Sequence, residues 1–267
     1  MTNIYESNIW KFYLYRIVST MDLTVSTFIL FLLSNNLTIT QVMTLQTIFV
    51  ALILLLEIPS GAFADIYGKK LSISLGIFCA TISYLIFAVG TNYLTFLIAM
   101  IFMAFCWALT SGADSALLFD SLKEAKKEKK YAKIFGKGNF LVLLNWAFLA
   151  LIGSYLSIHI GYRNLFLISA FLFFIGSIIA ISFKEPPIHK KVNENNYFRH
   201  IAEAVKFSKD HKVVKNLIIY FGIFAALGHI TWILIQPFYE QSTLPSYLIG
   251  IATFLYFISA GARKSAC

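Results

Sequence analysis

An all-α fold, a polytopic bundle of membrane-crossing helices, is what this chain of 267 residues predicts. Three observations carry that expectation. Hydrophobic residues make up 58% of the chain and charged ones 13%, where soluble domains show about 45–50% and about 25%. The mean hydropathy is +0.74. The apolar residues also fall in runs close to the roughly 20 residues that a bilayer-crossing helix needs, with short polar turns between them.

Seven such runs lie near 10–33, 41–62, 71–89, 94–118, 139–159, 165–183 and 216–239, and a shorter eighth covers 247–262. They are numbered here as spans 1 to 8. The turns on one side, SNNLTIT, GTNY, HIGYRN and EQSTLPS, are brief, so neighbouring spans should run antiparallel. On the other side the segments 65–70, 120–138 and 184–215 hold 2, 7 and 8 Lys or Arg, whereas the four brief turns hold Arg163 alone. By the positive-inside rule the basic side is cytoplasmic, and both termini lie with it.

The net charge of +9 raises nucleic acid as a partner. The basic residues sit between apolar runs, however, and that distribution fits membrane topology and not a nucleic-acid face. The first run is longer than the apolar region of a signal peptide and no small-residue cleavage site follows it, so no cleavable signal is expected. Cys79 and Cys106 lie inside apolar runs and Cys267 is the last residue. They read as free, small hydrophobes and not as a disulfide framework.

Three parts follow: a six-span block over 1–183, a cytoplasmic linker over 184–215, and two further spans over 216–267. The linker opens with Lys184-Glu185-Pro186-Pro187, which ends a helix. Farther on, Phe198, Ile201, Ala202 and Val205 fall at helical spacing opposite Arg199, Glu203, Lys206 and Lys209. That pattern suits an amphipathic helix at the membrane interface or a solvated linker helix. The lysine-dense stretch between spans 4 and 5 anchors the topology.

Between spans 2 and 3 runs GAFADIYGKK, Gly61 to Lys70. Gly61 and Ala64 are small and permit close backbone approach. Gly68 can take a positive φ and reverse the chain, and Lys69 and Lys70 anchor the turn among lipid phosphates. Asp65 is left over. An acid at the membrane edge is placed to meet a helix N-terminal dipole, either that of span 3 or that of a neighbouring helix that moves.

Ionisable residues within the spans each demand an explanation, because a central charge costs about 2.5–3.5 kcal/mol to insert. Arg16 lies about six residues, or about 9 Å, into span 1. Glu57 and Asp114 reach a similar depth from the same side, so the three form a buried cluster, or else Arg16 and Glu57 snorkel to the near interface. Asp114 is the expected partner of Arg16. Asp22, halfway along span 1, would bind a proton or a cationic substrate if it faces a cavity; otherwise it is a structural hydrogen-bonder. His229, Trp232 and Gln236 share one face of span 7 and, with Trp107 and Thr110 of span 4, can form a polar and aromatic lining. His229 reads as a packed hydrogen-bonder or a proton relay, and Asn145 as interhelical glue. No nucleotide-binding glycine loop, metal-ligand spacing or nucleophile triad is present in the sequence. Neither an enzyme, nor a cofactor, nor a metal is therefore expected.

GAFADIYGKK resembles the signature between helices 2 and 3 of the major facilitator superfamily of secondary transporters, G-x-L-A-D-R-x-G-R-K. Gly61, Ala64, Asp65, Gly68, Lys69 and Lys70 match it, while Phe63 and Ile66 depart from it. Ile66 stands where the family has a basic residue, which removes any salt bridge from that position. LLLEIPSGAFAD and SGADSALLFDSLKE are similar to prokaryotic drug-exporter-like members. The resemblance implies two six-helix halves, with helices 1, 4, 7 and 10 lining a cavity that opens alternately to each side. It also implies that the acid matching Asp65 holds the outward-open state by contacting the far half near helix 11. The chain ends after span 8, so it would hold the first half and two helices of the second. The expected function is alternating-access transport of a small organic solute, as proton-coupled efflux of amphipathic compounds or, in the other direction, uptake of a nutrient. Solute, protons and the lipid bilayer would be its partners. A truncated, non-transporting membrane protein, or a fragment of a longer transporter, is the other expectation. Richness in Ile, Lys, Asn and Phe suggests an AT-rich prokaryotic genome and hence the inner membrane.

Overall fold

The first apolar run does not form one helix. The computed structural model describes residues 4–187, 207, 210–241 and 247–265. In it a 3₁₀ turn over Ile4–Glu6 leads into α1 (Ser7–Val18), the chain unwinds over 19–27, and α2 (Phe28–Ser34) resumes the path. The unwound residues read STMDLTVST. Ser, Thr and Asp side chains compete for backbone hydrogen bonds and favour turns over helix, which explains why a helix expected to be continuous over 10–33 breaks here.

α3 (Ile39–Tyr67) and α4 (Lys69–Val89) follow, joined at Gly68. Span 4, expected as one helix, is also interrupted. α5 (Tyr93–Thr110) stops at Ser111, and α6 (Ala113–Glu124) begins after Gly112, whose φ of +72° only glycine adopts easily. Capping boxes start α3 at Thr38 with Gln41, and α5 at Asn92 with Thr95. Each box satisfies two of the free N–H groups at a helix start.

α7 (Tyr131–Ile181) has two arms that meet at Gly161, where φ is +77°. Near one end Phe135 packs 6.4 Å from the Phe12 ring, and beyond the other Phe183 packs 5.7 Å from Tyr15. Both ends thus return to α1, and the arms are antiparallel. α8 (Lys212–Gln241) and α9 (Tyr247–Ser265) follow. Among the described residues, five helical stretches are long and apolar enough to cross a membrane, and Leu248–Ile258 is a shorter apolar helix. The eight expected runs relate to these five as follows: span 1 is halved, spans 5 and 6 are the two antiparallel arms of α7 joined at Gly161, and the last run is short. The expected amphipathic linker helix lies outside the described residues, Phe207 excepted.

One end of the bundle is an aromatic core drawn from four helices. Phe31 of α2 packs 4.5 Å from Phe166 of α7, and Phe87 of α4 lies 5.3 Å from Phe166 and 5.9 Å from Phe96 of α5. Arg163 closes this end, donating to the Ala88 carbonyl at 2.7 Å and to Asn35 Oδ1 at 2.9 Å. At the basic end Asn8 is fully buried. Its Nδ2 donates to Ser121 Oγ at 2.8 Å and to the Lys184 carbonyl at 2.7 Å, and its Oδ1 accepts from the Lys184 N–H at 2.9 Å. Large apolar side chains such as Leu54, Leu55, Phe171 and Phe221 point outward, as a surface solvated by lipid requires.

Candidate functional site

The two helix interruptions face a shared space. A cavity of about 250 Å³ is lined by Arg16, Asp22, Trp107, Thr110 and Asp114, together with Tyr15, Tyr84, Trp146 and Phe173. A second cavity of about 180 Å³ adds Gln236 and Ile233 and shares Asp22, Tyr84, Met103 and Trp107 with the first. Asp22, Tyr84 and Trp107 therefore stand in the wall common to both.

Arg16, in the last turn of α1, pairs with Asp114 at 2.8 Å and donates a second hydrogen bond to Asn139 Oδ1 at 2.6 Å. Its Nε is buried without a partner among the described residues. Asp114 sits in the first turn of α6, where the break at Gly112 exposes a helix N-terminus whose dipole favours a carboxylate. Asp114 also accepts from the Ser115 N–H at 2.6 Å. Glu57 does not join them. It is exposed on α3, and its carboxylate accepts from Ser111 Oγ at 3.3 Å. The expected cluster of three charges is thus a pair supported by Asn139, because Glu57 shares the depth of the pair but not its side of the helix.

Asp22 lies in the unwound segment. Its Oδ1 accepts from the Thr24 N–H at 2.7 Å and from Thr24 Oγ1 at 2.6 Å, and the Tyr84 hydroxyl is a further hydrogen-bonding neighbour. An unwound segment at this depth must find partners for its backbone groups inside the protein. Most of its N–H groups pair locally, as Ser19 with the Tyr15 carbonyl and Thr27 with the Thr24 carbonyl, and α7 ties the segment and its flanks down. Asn145 donates to the Ile17 carbonyl at 2.9 Å, Ser169 Oγ accepts from the Leu23 N–H at 3.0 Å, and Ser26 Oγ donates to the Ala150 carbonyl at 3.0 Å. Gly153 lets the segment come this close, since a Cβ there would stand 1.9 Å from the Leu23 carbonyl oxygen. From α8, Gln236 Oε1 accepts from the Ile29 N–H at 2.9 Å.

The 61–70 turn is built differently from expectation. Gly68 has φ of +101° and reverses the chain, and Ala64 is buried in the core. Gly61 stands one turn of α3 before Ala64 and is partly buried. The start of α4 is capped by Glu185, whose two carboxylate oxygens accept from the Lys69 N–H at 2.9 Å and the Lys70 N–H at 2.7 Å. The Lys69 side chain is paired with Asp120 of α6. Asp65 caps nothing here: among the described residues it has no hydrogen bond or ion pair. It belongs to the last turn of α3, and helical side chains lean back toward their own N-terminus, away from the α4 N–H groups.

Thr110 lines the larger cavity while donating to the Cys106 carbonyl at 2.7 Å. His229 and Trp232 lie on α8, but their side chains are outside the described residues. Asn139, Tyr84, Ser169 and Glu185 were not candidates from the sequence. Only Glu185 carried a signal, as an acid placed directly before the helix-ending Pro186-Pro187.

Set beside known proteins, the sequence matches no curated protein. Among solved structures, the crystal structure of a D-xylose-proton symporter is similar with a TM-score of 0.60 at 13% identity, over 94% of this chain and 65% of that one. The two share a fold, and the chain spans about 65% of the length of that symporter. Residues 12–264 match the Major Facilitator Superfamily. With the match running through every helix from α1 to α9, the chain is an integral membrane protein and belongs to the Major Facilitator Superfamily.

Proposed function

We propose that this protein is a proton-coupled exporter of small amphipathic organic cations, working by alternating access. The observation that carries this reading is Asp22. It is a carboxylate in the unwound middle of a membrane helix, on the wall of both cavities, and among the described residues no cation pairs with it. The charge of Arg16 is matched by Asp114, so ionised Asp22 leaves the cavity one negative charge in excess and protonated Asp22 leaves it neutral. One carboxylate that accepts either a proton or a cation is sufficient to exchange the two. Trp107, Trp146 and Tyr84 supply aromatic faces that attract organic cations.

The larger cavity lies toward the basic end, beside Arg16, Thr110 and Asp114, while aromatic packing fills the opposite end. With the basic end and both termini in the cytoplasm of a prokaryotic cell, the conformation is inward-facing and loads from within. In this reading residues 1–183 form one rocking unit, 216–267 begin the other, and 184–215 link them. Asp65 is the gate acid. A carboxylate in the last turn of a helix is disfavoured by about 0.3–1 kcal/mol, and that cost is relieved when the opposite conformation gives it a helix N-terminus to hold.

The test is ethidium movement into proteoliposomes under an imposed pH gradient. Accumulation that lasts only while the gradient lasts supports coupled export. Movement indifferent to the gradient, or none, contradicts it.

A further inference from the structure

In an unbroken α-helix the Ile29 N–H would donate to the Val25 carbonyl, four residues earlier. Here the side-chain amide of Gln236 stands between them. Its Oε1 accepts from the Ile29 N–H at 2.9 Å, and its Nε2 donates to the Val25 carbonyl at 3.4 Å. A primary amide offers the same donor and acceptor as a peptide group, so Gln236 of α8 replaces one rung of the hydrogen-bond ladder that would join α1 to α2. It is 1% exposed, and Ile233, one turn earlier, is 5% exposed and lines the same cavity.

We propose that Gln236 is a positioning residue that latches the end of the bundle opposite the basic end, so that separation of α8 from α2 and rewinding of residues 25–29 are one event. The proposal rests on the alternating-access reading above. If α8 withdraws, the Ile29 N–H and Val25 carbonyl lose their shared partner at the same moment, within the span of a membrane helix where unpaired backbone groups are disfavoured. Their nearest available partners are each other, and pairing them restores the helix. Asp22 lies three residues before Val25, within one turn of the rewound segment, so the same event reorients the carboxylate between the two cavities. α8 is built to bend at this point. Pro237 follows Gln236 and has no N–H to donate to the Ile233 carbonyl, which is where helices kink. The latch thus ties the state of one gate to the orientation of Asp22, without a separate signal between them.

The test uses the protein in lipid nanodiscs with its native cysteines replaced and spin labels at Ser34→Cys and Phe238→Cys, exposed positions on α2 and α8. Electron–electron distance measurements from acidic to neutral pH report the separation of the two helices at this end. Gln236→Leu should raise the ratio of long to short distances about tenfold, the worth of one to two hydrogen bonds. Gln236→Glu keeps the acceptor for Ile29 but loses the donor to Val25, so it should fall between, and it carries the test if the leucine variant does not fold. Amide exchange over residues 25–31 separates a latch from a merely structural contact. With rewinding, the Ile29 amide stays protected in the long-distance state; accelerated exchange there overturns the proposal. Two distances in wild type whose ratio Gln236→Leu leaves unchanged overturn the latch and leave alternating access standing. A single distance in wild type at every pH overturns alternating access and the latch with it.

Discussion

Replacing Glu185 by alanine should loosen the basic end of the bundle by an amount that the geometry fixes. The Glu185 carboxylate accepts from the first two N–H groups of α4, at 2.9 and 2.7 Å. Hydrogen bonds to a charged group contribute about 1.5–3 kcal/mol each. Glu185 is only partly buried, and water replaces some of what is lost, so we take about 2–3 kcal/mol for the two together. Gly68→Ala perturbs the same place by another route. Its backbone, at φ of 101° and ψ of 146°, lies in a region that glycine alone occupies freely, which costs an alanine about 1–3 kcal/mol. The new Cβ would also stand 3.2 Å from the Glu185 carboxyl carbon. Once Glu185 is gone that contact no longer exists, so the double variant should be less destabilised than the sum by about 0.5–1.5 kcal/mol. The assay is thermal unfolding followed by tryptophan fluorescence. At about 2–4 °C per kcal/mol for a chain of this size, Glu185→Ala should lower the midpoint by about 4–12 °C. Glu185→Gln, which keeps one acceptor oxygen, should lower it less. A midpoint for Glu185→Ala within about 1 °C of wild type, or strict additivity with Gly68→Ala, would refute the capping argument.

Two further predictions use the same assay. Arg16 and Asp114 are 19% and 12% exposed in their side chains, so Arg16→Gln or Asp114→Asn alone should strand a largely buried charge at about 2–3 kcal/mol. The double variant should recover at least about 1 kcal/mol of the sum, and additive losses would dissolve the pair. Gly153→Ala must displace the unwound segment, since its Cβ would stand 1.9 Å from the Leu23 carbonyl oxygen, and should cost about 2 kcal/mol or more. Gly136→Ala, on the same helix with no atom within 4 Å, should instead stabilise by about 0.5–1 kcal/mol. Equal effects at the two glycines would remove the close approach as the reason for Gly153.

The helical bundle was legible because hydropathy reports where lipid must be faced, and lipid-facing surface is most of what these helices present. Gly68 was legible for a local reason, since a reversal between two helices demands a positive φ. The helix interruptions were not. A stretch such as STMDLTVST is apolar enough to pass as helix, and only the clustering of hydroxyl and carboxyl side chains marks it as able to unwind. Depth along a helix placed Arg16, Glu57 and Asp114 at one level, but it gives no side, so Glu57 was grouped with a pair it does not touch. Glu185 was illegible as a cap because its partners lie 116 and 115 residues away. The pairing of Gln236 with Ile29 spans 207 residues, and no periodicity carries information over such separations.

The central claim is that Asp22 exchanges a proton for a cation in the shared cavity wall. The most direct measurement is the lumenal pH of pyranine-loaded proteoliposomes after an external pulse of ethidium, for wild type and for Asp22→Asn. An exchanger moves protons against the solute, so wild type should alkalinise the lumen as ethidium enters, and folded Asp22→Asn should show no pH change. A lumenal pH that responds equally in both proteins, or in neither while ethidium still enters, would contradict it.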